Sequence, residues 1–240
     1  MKTNNNTVLI TGGSSGIGAT LAKRLSELGN RVIVCARNED RLAQIKSRIP
    51  SIQTKACDIQ DLEQIEALKD DIGSEVNLLI NNAGIVQELS LHANADLGAQ
   101  IKEVDINLNG ILRMLHVFLP SMQNHTTAAV VNVTSATAFI AESKAPIYSA
   151  TKAAQHALTL ALRHQLRDTQ VKVFELIPPL TDTPMAAHVE GISKLSPDKV
   201  ASALIAGLEK DQYEIAPGLS RAARLMSRVA PRFAFSQLNK

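Results

Sequence analysis

A chain of 240 residues, 45% hydrophobic and 20% charged, has the make-up of a water-soluble globular unit with a sizeable core, and is too short for two domains of ordinary size. A net charge of +2 argues against nucleic acid as a partner, and no apolar run is long enough for a membrane span. Two cysteines, Cys35 and Cys57, lack metal-ligand spacing and fit a reducing compartment; residues Met1 to Asn6 are polar, so no secretory signal is read and the expected location is cytoplasmic.

In chain order, short apolar runs alternate with segments of helical period. Strands are expected over Thr7–Thr11, Arg31–Ala36, Ile52–Cys57, Val76–Asn81, Ala128–Thr134 and Val171–Ile177. Several are apolar at nearly every position, as suits parallel strands covered on both faces. Helices are expected over Gly16–Leu28, Leu62–Ile72, Leu97–Pro120 and Tyr148–Asp168. Beyond them come a helix at Pro197–Glu209, a short strand at Tyr213–Ala216 and a basic tail over Leu219–Leu238. The alternation predicts an α/β fold: a doubly wound, Rossmann-like parallel sheet with helices on both faces, in three layers. No linker or repeat interrupts it, and residues 1–240 are read as one domain.

The segment Thr11-Gly12-Gly13-Ser14-Ser15-Gly16-Ile17-Gly18 follows the first strand and opens the first helix. A pyrophosphate approaching backbone N–H groups at a helix N-terminus needs a tight turn without Cβ atoms in its way. Gly12, Gly16 and Gly18 meet that need, and Gly12, Ser14, Ser15, Gly16, Ile17 and Gly18 together form the expected cofactor cradle. An acid roughly 20 residues further on would bind the ribose hydroxyls of NAD. Here the second strand ends in Cys35-Ala36-Arg37-Asn38, with no acid in place. The Arg37 guanidinium suits a 2′-phosphate, with the Ser14 hydroxyl as a further contact, so the expected cofactor is NADP(H). A solvated loop charge is the other reading of Arg37.

Tyr148-Ser149-Ala150-Thr151-Lys152 begins a long helical segment. Residues four apart share a helix face, which brings the Lys152 ammonium near the Tyr148 phenol. A phenol titrates at about 10. A lysine and an oxidised nicotinamide beside it both favour the phenolate and move it toward useful acid–base range. Ser135, at the end of the fifth strand, offers a hydroxyl to the reacting oxygen.

With the glycine turn, these residues make the chain resemble the short-chain dehydrogenase/reductase family, from Thr7 to about Met185. Asn81-Asn82-Ala83-Gly84 looks like the family's structural motif beside the adenine half of the cofactor, which implies cofactor contacts at Asn82, Ala83 and Gly84. Asp58 matches the residue that contacts the adenine ring. Asn107, in Asp105-Ile106-Asn107-Leu108-Asn109-Gly110, matches an asparagine whose backbone helps hold a relay water. The implied catalytic tetrad is Asn107, Ser135, Tyr148 and Lys152. It implies hydride transfer between the nicotinamide and a carbonyl or alcohol, with Tyr148 exchanging the proton, Ser135 polarising the oxygen, and Lys152 binding the nicotinamide ribose and lowering the tyrosine pKa. A homodimer or homotetramer is also implied.

One departure lies after the sixth strand. The family usually has Pro-Gly there, whereas this chain has Pro178-Pro179-Leu180-Thr181-Asp182-Thr183. Pro179 fixes φ and removes a donor; Pro178, Thr181 and Thr183 are nonetheless expected to meet the nicotinamide and phosphate. The substrate side is expected from Ala136–Ala141, Pro146, Ile147 and the Leu180–Leu195 loop, with Ala138, Phe139, Ile140, Ile147, Leu180 and Met185 forming a largely apolar pocket that suits a hydrophobic ketone, aldehyde or acyl group over a charged sugar. His92, Lys144 and His188 are candidates for its mouth.

In the tail, Arg221, Arg224, Arg228, Arg232 and Lys240 stand among apolar residues with no acid. Packing on its own domain or across a dimer interface is expected there, and docking on an anionic membrane is the alternative. Pro231 should kink or end the helix. An NADP-binding regulator without turnover is a second function class, and loss of Tyr148, Lys152 or Ser135 would have been its signature. A nucleotide-sugar epimerase would need a larger C-terminal substrate domain. The histidines show no metal spacing, and no metal is expected.

Overall fold

The first strand shows how the sheet is built. In β1 (Thr7–Thr11), Val8 and Ile10 point to one face and Leu9 to the other, and all three are fully buried. Such two-sided burial needs a helix layer on each side of the sheet. The computed structural model describes residues 1–88, 91 and 95–239; His92 and Lys240 lie outside them.

Seven parallel strands run in the order β3-β2-β1-β4-β5-β6-β7, with β2 at Arg31–Ala36, β3 at Gln53–Ala56, β4 at Leu78–Asn81, β5 at Ala128–Val133, β6 at Val171–Leu176 and β7 at Glu214–Ile215. Against one face lie α1 (Gly16–Glu27), α2 (Glu39–Arg48) and α7 (Pro197–Glu209), through Leu21, Leu25, Leu42, Ile45, Val200 and Leu204. Against the other lie α3 (Leu62–Ile72), α5 (Gly110–Met122) and α6 (Pro146–Gln165), through Ile65, Leu68, Met114, Phe118 and Leu162. This is the three-layer, doubly wound, Rossmann-like arrangement expected from the sequence. The strand order reverses between β1 and β4, which opens a crevice at the strands' C-terminal ends.

Several boundaries differ, each for a local reason. The segment α2 was not anticipated: it is mostly polar, burying only Leu42 and Ile45, and it starts because the Asn38 side chain accepts from the Arg41 N–H at 2.8 Å. The helix expected over Leu97–Pro120 is not one α-helix. It runs as α4 (Leu97–Val104), widens into a π-turn at Asp105–Asn109, and continues as α5. Such a turn adds a residue to the helical circuit and frees a carbonyl from the helix. The strand β5 stops at Val133, so Ser135 lies beyond it, extended, at the start of a short 3-10 turn over Ala136–Ala138. Asp58 likewise follows the third strand by two residues. The tail breaks at Ala230 into α8 (Ser220–Val229) and α9 (Pro231–Leu238), with Pro231 in the first turn of α9, where its missing N–H costs nothing.

Candidate active site

The glycine turn lies in the crevice between β1 and β4, where backbone packs on backbone. Gly12 and Gly16 take positive φ values of 64° and 55°. A Cβ at Gly12 would stand 2.8 Å from the Ala83 Cα, so a side chain has no room there. From the β4 side, Asn82 Nδ2 donates to the carbonyls of Thr11 at 2.9 Å and Gly12 at 3.1 Å. Thr11 Oγ1 accepts from the N–H groups of Asn82 at 3.0 Å and Ala83 at 3.1 Å. The Asn82-Ala83-Gly84 segment thus clamps the glycine turn.

The N-terminus of α1 opens on a cavity of about 290 Å³. Gly12, Ser14, Ser15, Gly16 and Ile17 line one wall, and Asn82, Ala83 and Gly84 another. Arg37 and Asp58 stand at one end, Tyr148, Lys152 and Pro178 at the other, and Thr183 lies against Gly16 of the glycine turn. Of the residues expected to touch a cofactor, Gly18 and Thr181 do not line this cavity. Gly18 serves packing instead: a Cβ there would stand 2.7 Å from the Gly12 carbonyl oxygen. Thr181 is buried and turns its hydroxyl back to the Pro179 carbonyl at 2.8 Å. Pro179 cannot donate, and the loop takes this turn around it.

A backbone cradle without Cβ atoms, a helix N-terminus and an elongated cavity fit a dinucleotide diphosphate. At the far end Arg37 Nη1 lies 3.8 Å from Asp58 Oδ2. Arg41, on the first turn of α2, also lines the cavity and was not singled out from the sequence. Its position depends on the Asn38 cap, a signal present in the sequence but weak without the helix.

At the opposite end α6 presents Tyr148 and Lys152 one turn apart. Lys152 Nζ donates to the Val133 carbonyl at 2.9 Å and to Gln155 Oε1 at 3.1 Å, and lies 5.5 Å from the Tyr148 ring centre. Ser135 Oγ accepts from the Thr137 N–H at 3.2 Å, and its hydroxyl favours the ionised form of Tyr148. Asn107 is wholly buried. Its Oδ1 accepts from the Ile85 N–H at 2.8 Å, and its Nδ2 donates to the Ile85 carbonyl at 2.9 Å and to Thr151 Oγ1 at 3.2 Å. It therefore ties the π-turn to both the strand-end loop and α6. Its backbone carbonyl, which the family resemblance implies for a relay water, accepts from Gln155 Nε2. Gln155 was not anticipated, because one polar residue on an amphipathic helix carries no mark of being buried.

The charges near Tyr148 also differ from expectation. Burial pushes the phenol up to about 12, the Ser135 hydroxyl acting the other way and the carboxylates of Glu103 and Glu142 adding to the rise. Burial brings the Lys152 ammonium down to about 7, with Glu103 opposing that fall. Burial and the nearby carboxylates thus outweigh the groups of the protein that favour the phenolate. The lysine is itself desolvated and directed at Val133 and Gln155.

Residues 6–191 match the model of the family described as short chain dehydrogenase. The chain belongs to the short-chain dehydrogenase family. Across 100% of its length it is 41% identical to an uncharacterized oxidoreductase, DltE, of Bacillus subtilis (strain 168), covering 98% of that protein. It is 30% identical to a fatty acyl-CoA reductase of Acinetobacter baylyi (strain ATCC 33305 / BD413 / ADP1), over 93% of this chain and 79% of that one. Among solved structures, a short-chain dehydrogenase of Burkholderia cenocepacia J2315 in complex with NADP superposes over 100% of both chains, with a TM-score of 0.89 and 26% identity. The protein is accordingly an oxidoreductase of the short-chain dehydrogenase family that uses a nicotinamide dinucleotide and acts on a small molecule. Among the described residues, no helix is long and apolar enough to cross a membrane.

The segment after β5, where the substrate side is expected, is partly covered by the tail. Arg224 on α8 pairs with Glu214 and lies 5.9 Å from the Phe139 ring centre. Asn239 accepts from the Ser143 N–H at 2.6 Å and donates to the Ala141 carbonyl at 3.0 Å. The packing of the tail on its own chain is therefore observed at these points. Lys144 is exposed, His188 pairs with Glu88 at 3.3 Å, and His92 falls outside the described residues.

Proposed function

We propose that this protein is an NADP(H)-dependent carbonyl reductase or alcohol dehydrogenase acting on an apolar ketone, aldehyde or secondary alcohol. The observation that carries the reading is the meeting of Tyr148 and Lys152 at the end of the glycine-walled cavity opposite Arg37, with Ser135 coupled to Tyr148. The cradle of Gly12, Ser14, Ser15, Gly16 and Ile17 would hold the diphosphate, with Asp58 toward the adenine and Pro178 and Thr183 toward the nicotinamide. Arg37, with Arg41 beside it, would meet the 2′-phosphate; the NADP bound by the Burkholderia relative supports that choice. A bound nicotinamide supplies the hydride in reduction or accepts it in oxidation.

The protein's own groups handle the proton. A phenol held up to about 12 stays protonated across neutral pH, which suits Tyr148 as donor to a carbonyl oxygen in the reductive direction. The Ser135 hydroxyl, held by the Thr137 N–H, steers that oxygen toward the phenol. Lys152 has a third N–H beyond those given to Val133 and Gln155, free to hold the nicotinamide ribose. Asn107 fixes the loop after β4 against α6, which supports the geometry of both. Met185, which lines the cavity, favours an apolar substrate, whereas Phe139 and Ile140 line a separate pocket against the tail. Exposed Leu97, Ile101, Leu112 and Leu160 on α4, α5 and α6 support assembly as a homodimer or homotetramer. Its two free, buried cysteines, Cys35 and Cys57, suit a reducing compartment, and we assign the protein to the cytoplasm.

The test is NADPH oxidation against apolar ketones, aldehydes and β-ketoacyl thioesters, for wild type and Tyr148→Phe. Turnover by the wild type, reduced roughly 100- to 10,000-fold in Tyr148→Phe with NADPH affinity retained, is expected. Equal turnover by both proteins removes Tyr148 from the chemistry. Tight NADPH binding with no turnover on any substrate would turn the reading toward a regulatory protein.

A further inference from the structure

Glu103 on α4 is a buried carboxylate that the proposed chemistry leaves unused. It is wholly inaccessible and stands one helical turn before Asn107, on the same face. Since Asn107 donates to Thr151 Oγ1 on α6, this face packs against the stretch of α6 that carries Tyr148 and Lys152. Glu103 Oε1 accepts from the Gln87 N–H at 3.3 Å, while the buried Oε2 has no hydrogen-bond partner among the described residues. A carboxylate so placed must either take a proton or face a counter-charge, because an isolated buried charge is very costly.

Among the described residues, the ionisable groups whose charge is coupled to Glu103 are Lys152 and Tyr148, both on α6; no direct ion pair joins Glu103 to Lys152, so the two charges act on each other across the packing. On its own helix Lys102 is exposed, and in the π-turn Asp105 is already paired with Arg113 at 2.9 Å. From the loop after β4, Gln87 contributes a neutral N–H. Lys152 is in the complementary position: both acceptors it reaches, the Val133 carbonyl and the Gln155 amide, are neutral. Gln155 spends its amide N–H on the Asn107 carbonyl, which locks the amide with its oxygen toward Lys152. Among the described residues, Glu103 is the carboxylate whose charge acts on Lys152.

We propose that Glu103 is the buried counter-charge of Lys152, a positioning residue that holds the lysine as an ammonium and the neighbouring tyrosine as a phenol. The pairing rests on the packing of α4 against α6; its consequence for turnover rests on the reductase reading given above. Burial drives Lys152 toward the neutral amine and Glu103 toward the neutral acid, and each charge opposes the loss of the other. The same carboxylate disfavours a phenolate at Tyr148. The arrangement therefore favours proton donation to a carbonyl.

The experiment uses the full chain with isotope-labelled lysine side chains and follows the Lys152 signal by NMR, assigned by its loss in Lys152→Met. Titration midpoints are compared for wild type, Glu103→Gln and Glu103→Asp. We expect Glu103→Gln to lower the Lys152 midpoint by about 1 pH unit or more, and Glu103→Asp to restore most of it. An unchanged midpoint in Glu103→Gln, or equal shifts in both variants, overturns the pairing. Should Glu103→Gln fail to fold, the Glu103 carboxyl carbon is titrated in the wild type. Ionised Glu103 wherever Lys152 is charged supports the pairing, and protonated Glu103 there overturns it. In NADPH-dependent reduction, the basic limb of the kcat profile should move to lower pH with the midpoint. A midpoint that moves without the kcat profile keeps the pairing and overturns its catalytic consequence.

Discussion

At Arg37 the guanidinium stands 3.8 Å from Asp58 and both side chains are partly exposed, so the pair is screened and easily exchanged for a better partner. A phosphate is such a partner, since it accepts two of the guanidinium's hydrogen bonds at once. Arg37→Ala should therefore weaken NADPH by about 10- to 100-fold, the worth of a charge-assisted contact, and leave NADH nearly unchanged. Fluorescence titration with both dinucleotides checks this, and equal losses would remove Arg37 from the 2′-phosphate site. Tyr148, Lys152 and Arg37 were legible because their residue types and spacing already carry chemistry. Gln155, Arg41 and Glu103 were not, because each owes its place to packing between helices distant in sequence.

Among the elements, the glycine turn and the π-turn position the site in different ways. The glycine turn is local: its φ values and missing Cβ atoms are properties of the segment itself. A methyl group at Gly18 would stand 2.7 Å from the Gly12 carbonyl oxygen and 2.5 Å from Asn82 Nδ2, and the first of these is backbone that cannot swing aside. Gly18→Ala should lower the unfolding free energy by about 1–3 kcal/mol and weaken NADPH and NADH together, measured by urea unfolding and by titration. Unchanged stability would mean the turn has more play than its contacts imply. The π-turn, by contrast, follows no periodicity in Leu97–Pro120. Its cause is tertiary, for the Asn107 side chain is tied to Ile85 and Thr151 and its carbonyl to Gln155. The helix α2 escaped notice for a related reason: only two of its residues face the core, so the apolar signal was too thin.

Across the whole molecule, buried Lys152 links folding to pH. Its midpoint in the fold is about 7, against an ordinary lysine value of 10.5, so between these values the unfolded chain binds more protons than the native one. Stability owed to this group must therefore rise with pH across that window and be lowest below it, where the native lysine is charged in the interior. Urea unfolding of wild type and Lys152→Met from pH 6 to 10 should show the wild type gaining stability relative to the variant as pH rises, by more than ~1 kcal/mol. A flat difference would mean that Lys152 is solvated more than its burial indicates. At this scale the tail also packs on the segment after β5, Arg224 at Phe139 and Asn239 at Ala141 and Ser143, while Leu225, Val229 and Phe233 remain exposed.

What the sequence determined by itself was the strand and helix alternation, the doubly wound sheet, and the two ends of the site, at the glycine turn and at Tyr148-x-x-x-Lys152. These depend on periodicity and on neighbours a few residues apart, which any one segment carries whole. The tertiary structure alone decided that Arg37 faces Asp58, that Thr181 turns away from the cavity, and that a widened helical turn offers Asn107 to Gln155. It alone decided that Glu103 lies buried on a helix packed against the one that carries Lys152. Those outcomes are set by which helix faces which across the sheet's edge, and burial there shifts the charge of groups whose sequence neighbours are unremarkable.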